Sequence, residues 1–175
     1  MSKLGRPQAS EYAPYYETYI RHVSDEDVQR ALGAQIEATL ATLRGVSEER
    51  SLLRYAPGKW SLREVVGHLC DAERVFAYRA LRFARGDRKE LQGFDQEPYV
   101  AAAHSDARPW AELLEELQLV RRTSVLLFRG FDDEAWQRSG VASGNEVTVR
   151  ALGYTIAGHE LHHMAIVRER YLAQR

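Results

Sequence analysis

The sequence predicts an all-α chain folded as a four-helix bundle, and three observations carry that reading. Four segments place apolar residues at three- and four-residue steps. No segment sustains the period-two alternation of a half-buried strand. No internal repeat of 20–50 residues is present, which excludes a solenoid or propeller. At 175 residues and 45 % apolar content the chain is long enough to bury one core and too short for two, so a single domain spanning 1–175 is expected.

The chain opens on an irregular stretch rich in tyrosine (Tyr12, Tyr15, Tyr16, Tyr19). The first helix lies in "SDEDVQRALGAQIEATLATLRGV", with Ser24 as its expected N-cap and three acids in its first turn to suit the helix dipole. The second follows Pro57-Gly58. Ser61 and Glu64 form a capping box, and helical spacing continues from Leu62 to about Arg85. A long connection, "GDRKELQGFDQEPYVAAAHSDARP", mixes turn residues with a short helical piece around Pro98 to Ala103. Connections of that length are often functional. The third helix, "WAELLEELQLVRRTSVLLFRGF", carries Leu113, Leu117, Val120, Ser124 and Leu127 on one stripe and stops near Gly130. The fourth begins after a Gly/Ser/Asn turn and Thr148, and its stripe runs Leu152, Ile156, His159, His163, Val167. Such helices close on one another as a bundle.

Composition excludes several classes of partner. The 24 basic and 25 acidic residues nearly cancel, leaving a formal charge of −1 and no field to gather nucleic acid or an anionic membrane. One cysteine, Cys70, cannot form a disulfide framework, and no secretion signal or membrane-spanning apolar run is read, so a cytoplasmic protein is expected. Cys70 itself lies about 200° around its helix from His68 and reads as packing.

The fourth helix contains His-Glu-Leu-His-His, which matches the H-E-x-x-H pattern of zinc peptidases. Those enzymes draw a third ligand from further along the chain. Here the near positions are Ile166 and Glu169, and about a dozen residues remain after His163, too few for a separate ligand helix. The peptidase reading therefore lacks a ligand. His159 and His163 are nonetheless only about 40° apart on the inward face. Burying two neutral rings without partners costs several kcal/mol, whereas a divalent cation satisfies both. His68, about two turns into the second helix on a stripe with Val65, Ala72, Val75 and Arg79, is the natural candidate for a third ligand across the core. His22, His104 and His162 fit this face less well. A pair of hydrogen-bonded core histidines is the alternative.

The stretches "GKWSLREVVGHLCDAERVFAYRALRFARGD", "LQGFDQEPYV" and "VRALGYTIAGHELHHMAIVRERYL" resemble the DinB/YfiT-like superfamily over nearly the whole chain. The resemblance implies a four-helix bundle with a long crossover connection, often dimeric, so a homodimer is expected. It also implies a metal held by one histidine of the second helix and an H-x-x-x-H pair of the last, which fall here on His68, His159 and His163. Three imidazoles leave a divalent cation, zinc or nickel by ligand preference, with open positions for water, a thiolate or a substrate oxygen. By the same resemblance, a transferase using a low-molecular-weight thiol as co-substrate is the leading activity. Metal-assisted hydrolysis competes with it, as does a stress-response module whose metal is structural.

The acids near these histidines carry two readings each. Glu160 is either a general base at the flank of the site or a partner of an arginine on a neighbouring helix. Asp71, one turn after His68, could orient a ligand ring through its second nitrogen, or with Glu73 belong to a solvated face. Asp95 and Tyr99, on the connection that could roof the site, would bind substrate or merely close a turn. Arg79, Arg121 and Arg122 could meet an anionic cofactor, but with 21 Arg against 3 Lys such placement arises by chance.

Overall fold

A computed structural model describes residues 5–173. Two 3₁₀ turns (Ala9–Glu11 and Pro14–Tyr16) lead into a single helical turn, α1 (Glu17–Ile20). Four long helices follow: α2 (Val28–Arg44), α3 (Leu62–Ala84), α5 (Trp110–Arg129) and α7 (Val149–Ile166), the last continuing as a π-helical stretch over Val167–Leu172. Between them lie α4 (Gln96–Ala103), α6 (Asp133–Gln137) and a hairpin of β1 (Ser139–Ala142) and β2 (Asn145–Thr148).

Local chemistry sets the ends of these elements. The capping box of α3 forms as expected: Ser61 Oγ accepts from the Glu64 amide at 3.0 Å and Glu64 accepts from the Ser61 amide at 2.8 Å. Thr148 caps α7 by accepting from the Ala151 amide at 3.0 Å. The start of α2 differs from expectation. Its cap is Asp27, not Ser24, with Oδ1 accepting from the amides of Gln29 and Arg30. The acids Asp25 and Glu26 therefore precede the helix, and Asp25 pairs with Arg30 at 2.7 Å. Asp27 wins because a carboxylate one residue before the first free amides forms charge-assisted bonds that a more distant hydroxyl cannot.

The expected turn before the last helix is a true hairpin, registered Ser139↔Thr148 to Ala142↔Asn145. Its two-residue turn, Ser143-Gly144, has φ of 54° and 74°, the left-handed pair that matches strand twist and favours glycine. Leu91 from the long connection bridges to this hairpin, its amide donating to Val141 O at 3.0 Å and its carbonyl accepting from Ser143 N at 3.0 Å.

The bundle is closed in an order that sequence succession does not dictate. α2 and α3 each pack on both α5 and α7. Hence α2 lies diagonally across from α3, and α5 across from α7, so the links α2→α3 and α5→α7 cross an end of the bundle. α3 and α7 are neighbours, as a site joining His68 to the His159/His163 pair requires. One apolar cluster, around Phe83, Trp136, Leu152 and Tyr154, fills the hairpin end, and another, around Leu40, Leu69, Leu117 and Val167, fills the opposite end. The histidines lie on α3 and α7 between them. α1 crosses α7 closely at Gly158, where an added Cβ would sit 2.2 Å from the Tyr19 carbonyl oxygen. Among the described residues no helix is long and apolar enough to cross a membrane.

Candidate metal centre

α3 and α7 bring three imidazoles together. His68 Nε2 and His163 Nε2 each lie 3.1 Å from His159 Nε2, and ligand atoms of all three lie within 4.8 Å of one another. Two nitrogens bound to one divalent cation at about 2.0–2.1 Å are separated by about 2.9–3.4 Å for angles between octahedral and tetrahedral, so the donor set fits such an ion. Ionisation favours the same reading. Burial lowers His68 to about 4 and, with His68 and His162 nearby, His163 to about 3. His159 is pushed well below its ordinary value by burial and then by the two neighbouring rings. All three are neutral at neutral pH, the form that ligates. If Nε2 faces the ion, each ring carries its proton on Nδ1, and the buried His68 Nδ1 has no hydrogen-bond partner.

Aromatic side chains wall the cluster. The Tyr19 ring stands 5.0 Å from His159, Phe76 stands 5.9 Å from it, and Trp60 lies 4.9 Å from His68. A cavity of about 560 Å³ opens on the His68/His159 side, lined also by Tyr15, Tyr16, Phe76, Arg79 and Asp95. A smaller one of about 210 Å³ reaches His163 past Trp60, Glu97 and Tyr171. The cluster thus sits between two recesses.

The acids near the cluster divide between the two readings given for them. Glu160 is 1 % exposed and turned into the core, where Arg121 Nη1 meets it at 2.6 Å and Gln35 donates to it at 2.8 Å. Thr39 takes its other oxygen. Arg121 is held on its far side by Glu73 through two bonds of 2.9 Å, and the two carboxylates outweigh the burial that would lower its affinity for a proton. The Arg-pair reading of Glu160 is the one the geometry supports, because a position 100° on from His159 points at α2 and α5 rather than α3. Among the described residues no carboxylate joins the histidine group. Asp71 does not orient His68: it lies 3.6 Å from Arg74, and His68 Nδ1 stays unpartnered. Burial raises the Asp71 carboxyl above its usual value, Arg74 opposing. Glu73, two residues further on, does not share a solvated face with Asp71 but is buried on Arg121.

Asp95 lines the larger cavity and caps α4 by accepting from the Glu97 amide at 3.1 Å. Tyr99 is half exposed, stands edge-on to Phe94 at 5.3 Å and does not line that cavity. Cys70 is buried among apolar side chains and its thiol is pushed up by burial. Sequence reasoning passed over Tyr15, Tyr16 and Tyr19 as irregular chain and left Trp60 and Phe76 without a role. The tyrosine density before the first helix was the available signal.

A helical bundle with diagonal links and a convergent triple imidazole is a distinctive arrangement, and comparison with known proteins assigns the chain to a family. The DinB superfamily model matches residues 17–167, and the chain belongs to that family. A protein of Oceanobacillus iheyensis named "Putative metal-dependent hydrolase OB0413" is 26 % identical over 129 residues, 73 % of each chain. Among solved structures, YfiT from Bacillus subtilis, described as a probable metal-dependent hydrolase with an unusual four-helix bundle topology, superposes with a TM-score of 0.65 at 19 % identity, covering 94 % of this chain and 92 % of that one. The DinB-like YjoA of Bacillus subtilis gives 0.61 at 18 % identity over 85 % of this chain and 92 % of its own. A mycothiol-dependent maleylpyruvate isomerase gives 0.66 at 11 % identity over 83 % of this chain and 61 % of its own. At these identities the structural matches establish the fold alone.

Proposed function

We propose that the chain is a metal-dependent enzyme that joins a small thiol to a second small molecule at His68, His159 and His163. The observation that carries the reading is the all-imidazole cluster: Glu160, the acid its motif would offer as a base, is bound to Arg121, Gln35 and Thr39. A nucleophile used here has to be activated without a carboxylate beside it. A divalent cation, zinc or nickel, supplies that activation by stabilising the deprotonated form of a thiol at neutral pH.

The chain's own residues do the rest. The three neutral rings would hold the ion, and Tyr19, Trp60 and Phe76 pack against them. The recesses of about 560 and 210 Å³ give two molecules separate approaches to one cluster, which suits group transfer. In the transfer the thiol sulfur forms a bond to carbon, the leaving group departs with the electron pair, and the thiol proton passes to solvent. The mycothiol dependence of one structural neighbour supports this chemistry. Hydrolysis is the second reading, favoured by Asp95 in the cavity wall and by the hydrolase names of two relatives. Pairing of two chains, and the roles of Asp95 and Tyr99 toward substrate, belong to the same proposal.

The test is turnover of a chloronitroaromatic electrophile by metal-loaded protein with a panel of low-molecular-weight thiols, beside hydrolysis of an aryl ester without thiol. Thiol-dependent conjugation that chelation abolishes is the expected result. Ester hydrolysis with no thiol dependence would replace transfer by hydrolysis.

A further inference from the structure

Three arginines of the described chain are buried, and two of them have acids. Arg63 is held by Glu48 and by carbonyl oxygens, and Arg121 lies between Glu73 and Glu160. Arg79, 2 % exposed, has none: among the described residues no carboxylate lies within 4.0 Å of it. Its Nη2 donates to the Gln92 carbonyl at 3.0 Å and to Ser143 Oγ at 3.1 Å, Nη1 reaches only the Tyr16 hydroxyl at 3.5 Å, and Nε has no partner. A guanidinium has five N–H donors and cannot shed its charge, and burying a charge without a counter-charge is strongly unfavourable. The chain holds this cation in place without neutralising it.

Its position says what is missing. Arg79 lines the same 560 Å³ cavity as His68 and His159. It shares a side of α3 with His68, Ala72 and Phe76, eleven residues or about 16 Å beyond His68. Among the described residues of that wall, Arg79 and Asp95 are the only Arg, Lys, Asp or Glu, and Asp95 already caps α4. One cation in a wall with one acid suits a single negative charge better than a dianion, and a planar carboxylate matches the guanidinium edge. Tyr16, Phe76 and Phe94 offer apolar surface between the two ends.

We propose that Arg79 is the carboxylate-binding residue of this cavity, so that a molecule reacting at the histidines is elongated, with an apolar body and a carboxylate at its far end. The inference rests on the reading of this cavity as the substrate site, but Arg79 binds the carboxylate whether or not an ion is present.

The probe is 3-phenylpropionate, compared with its neutral amide and with inorganic phosphate, by calorimetry on the full chain, metal-loaded and after chelation. The acid should bind in both states, with the amide weaker by about ten- to a hundredfold, the worth of a charge-assisted bond. Phosphate should not compete. Arg79→Met should abolish the preference for acid over amide, Arg79→Lys should reduce it, and His68→Ala should retain it. Absence of acid binding, an amide bound as tightly, tighter phosphate binding, or a preference undiminished in Arg79→Lys would each overturn the proposal. Should Arg79→Met fail to fold, the Arg79→Lys comparison decides. Protein that takes up no metal yet still prefers the acid through Arg79 would remove the metal reading and leave this one standing. Metal uptake without acid preference would do the reverse.

Discussion

Replacing Glu160 by Gln separates a structural acid from a catalytic one. Its carboxylate meets Arg121 at 2.6 Å and Gln35 at 2.8 Å, with Thr39 on the other oxygen. The amide oxygen can keep the first two partners, and its NH₂ can donate to Thr39 Oγ1 once that hydroxyl turns. Shape and bond count survive, and what is lost is charge assistance. A hydrogen bond to a charged group is worth about 1.5–3 kcal/mol against about 0.5–1.5 for a neutral one, so the cost is about 1–2 kcal/mol. Arg121 keeps both bonds to Glu73, which prevents the larger penalty of a stranded buried cation. In a chain of this length the melting temperature should fall by about 2–8 °C. Metal content should be unchanged, and turnover per metal-loaded chain should fall less than about tenfold. A general base would behave oppositely, with little thermal effect and a loss of about 10²–10⁴ in turnover. Calorimetric melting with metal analysis gives the answer, and a variant that melts at the wild-type temperature would contradict the buried Glu160–Arg121 pair.

Gly158→Ala should lower stability by about 1–3 kcal/mol, because its Cβ meets the Tyr19 backbone rather than a movable side chain; an unchanged melting temperature would contradict the close α1–α7 crossing. Cys70, buried in the core, should resist an aromatic disulfide reagent until the chain is unfolded, and rapid labelling of native protein would contradict its burial. Glu116 and Glu11 bear on acid stability. Burial alone would raise each, but Arg108 and Arg74 for Glu116, and Arg150 for Glu11, outweigh it and hold both below the ordinary range. A carboxyl depressed in the folded state stabilises fully above its unfolded value, about 4.3, and loses that contribution as pH falls through the folded value. Urea midpoints should therefore drop below about pH 4, and less steeply for Glu116→Gln than for wild type; equal slopes would contradict the assignment.

The long helices could be read because each carries its instructions locally. Ser61 and Glu64 are three residues apart, Thr148 precedes its helix directly, and the stripe from Leu152 to Val167 needs only the helical period. The same period put His159 and His163 on one face, and the family resemblance is borne out by the match over residues 17–167. What stayed hidden depends on residues distant in sequence. α1 is one turn long, too short to be stable alone, and docks through the Gly158 crossing. Strands of four residues in the hairpin give alternation little length to show, so only the Ser143-Gly144 turn was visible. The direction of Glu160 followed from helical geometry, but its partners lie on α2 and α5, more than thirty residues away. Asp71 was placed one turn from His68 correctly, yet Arg74, also one turn away, is the group it meets.

The proposed chemistry depends on one ion held jointly by α3 and α7. The direct measurement is metal stoichiometry of tag-free protein, with melting temperature before and after chelation, for wild type and for His68→Ala, His159→Ala and His163→Ala. Binding to the folded state alone adds about 4.1 kcal/mol when free metal is a thousandfold above its dissociation constant. One ion per wild-type chain, a melting temperature that falls on chelation, and loss of both ion and response in each of the three variants are the expected results. Wild-type protein that takes up no divalent ion, or variants that keep it with an undiminished response, would contradict the proposal.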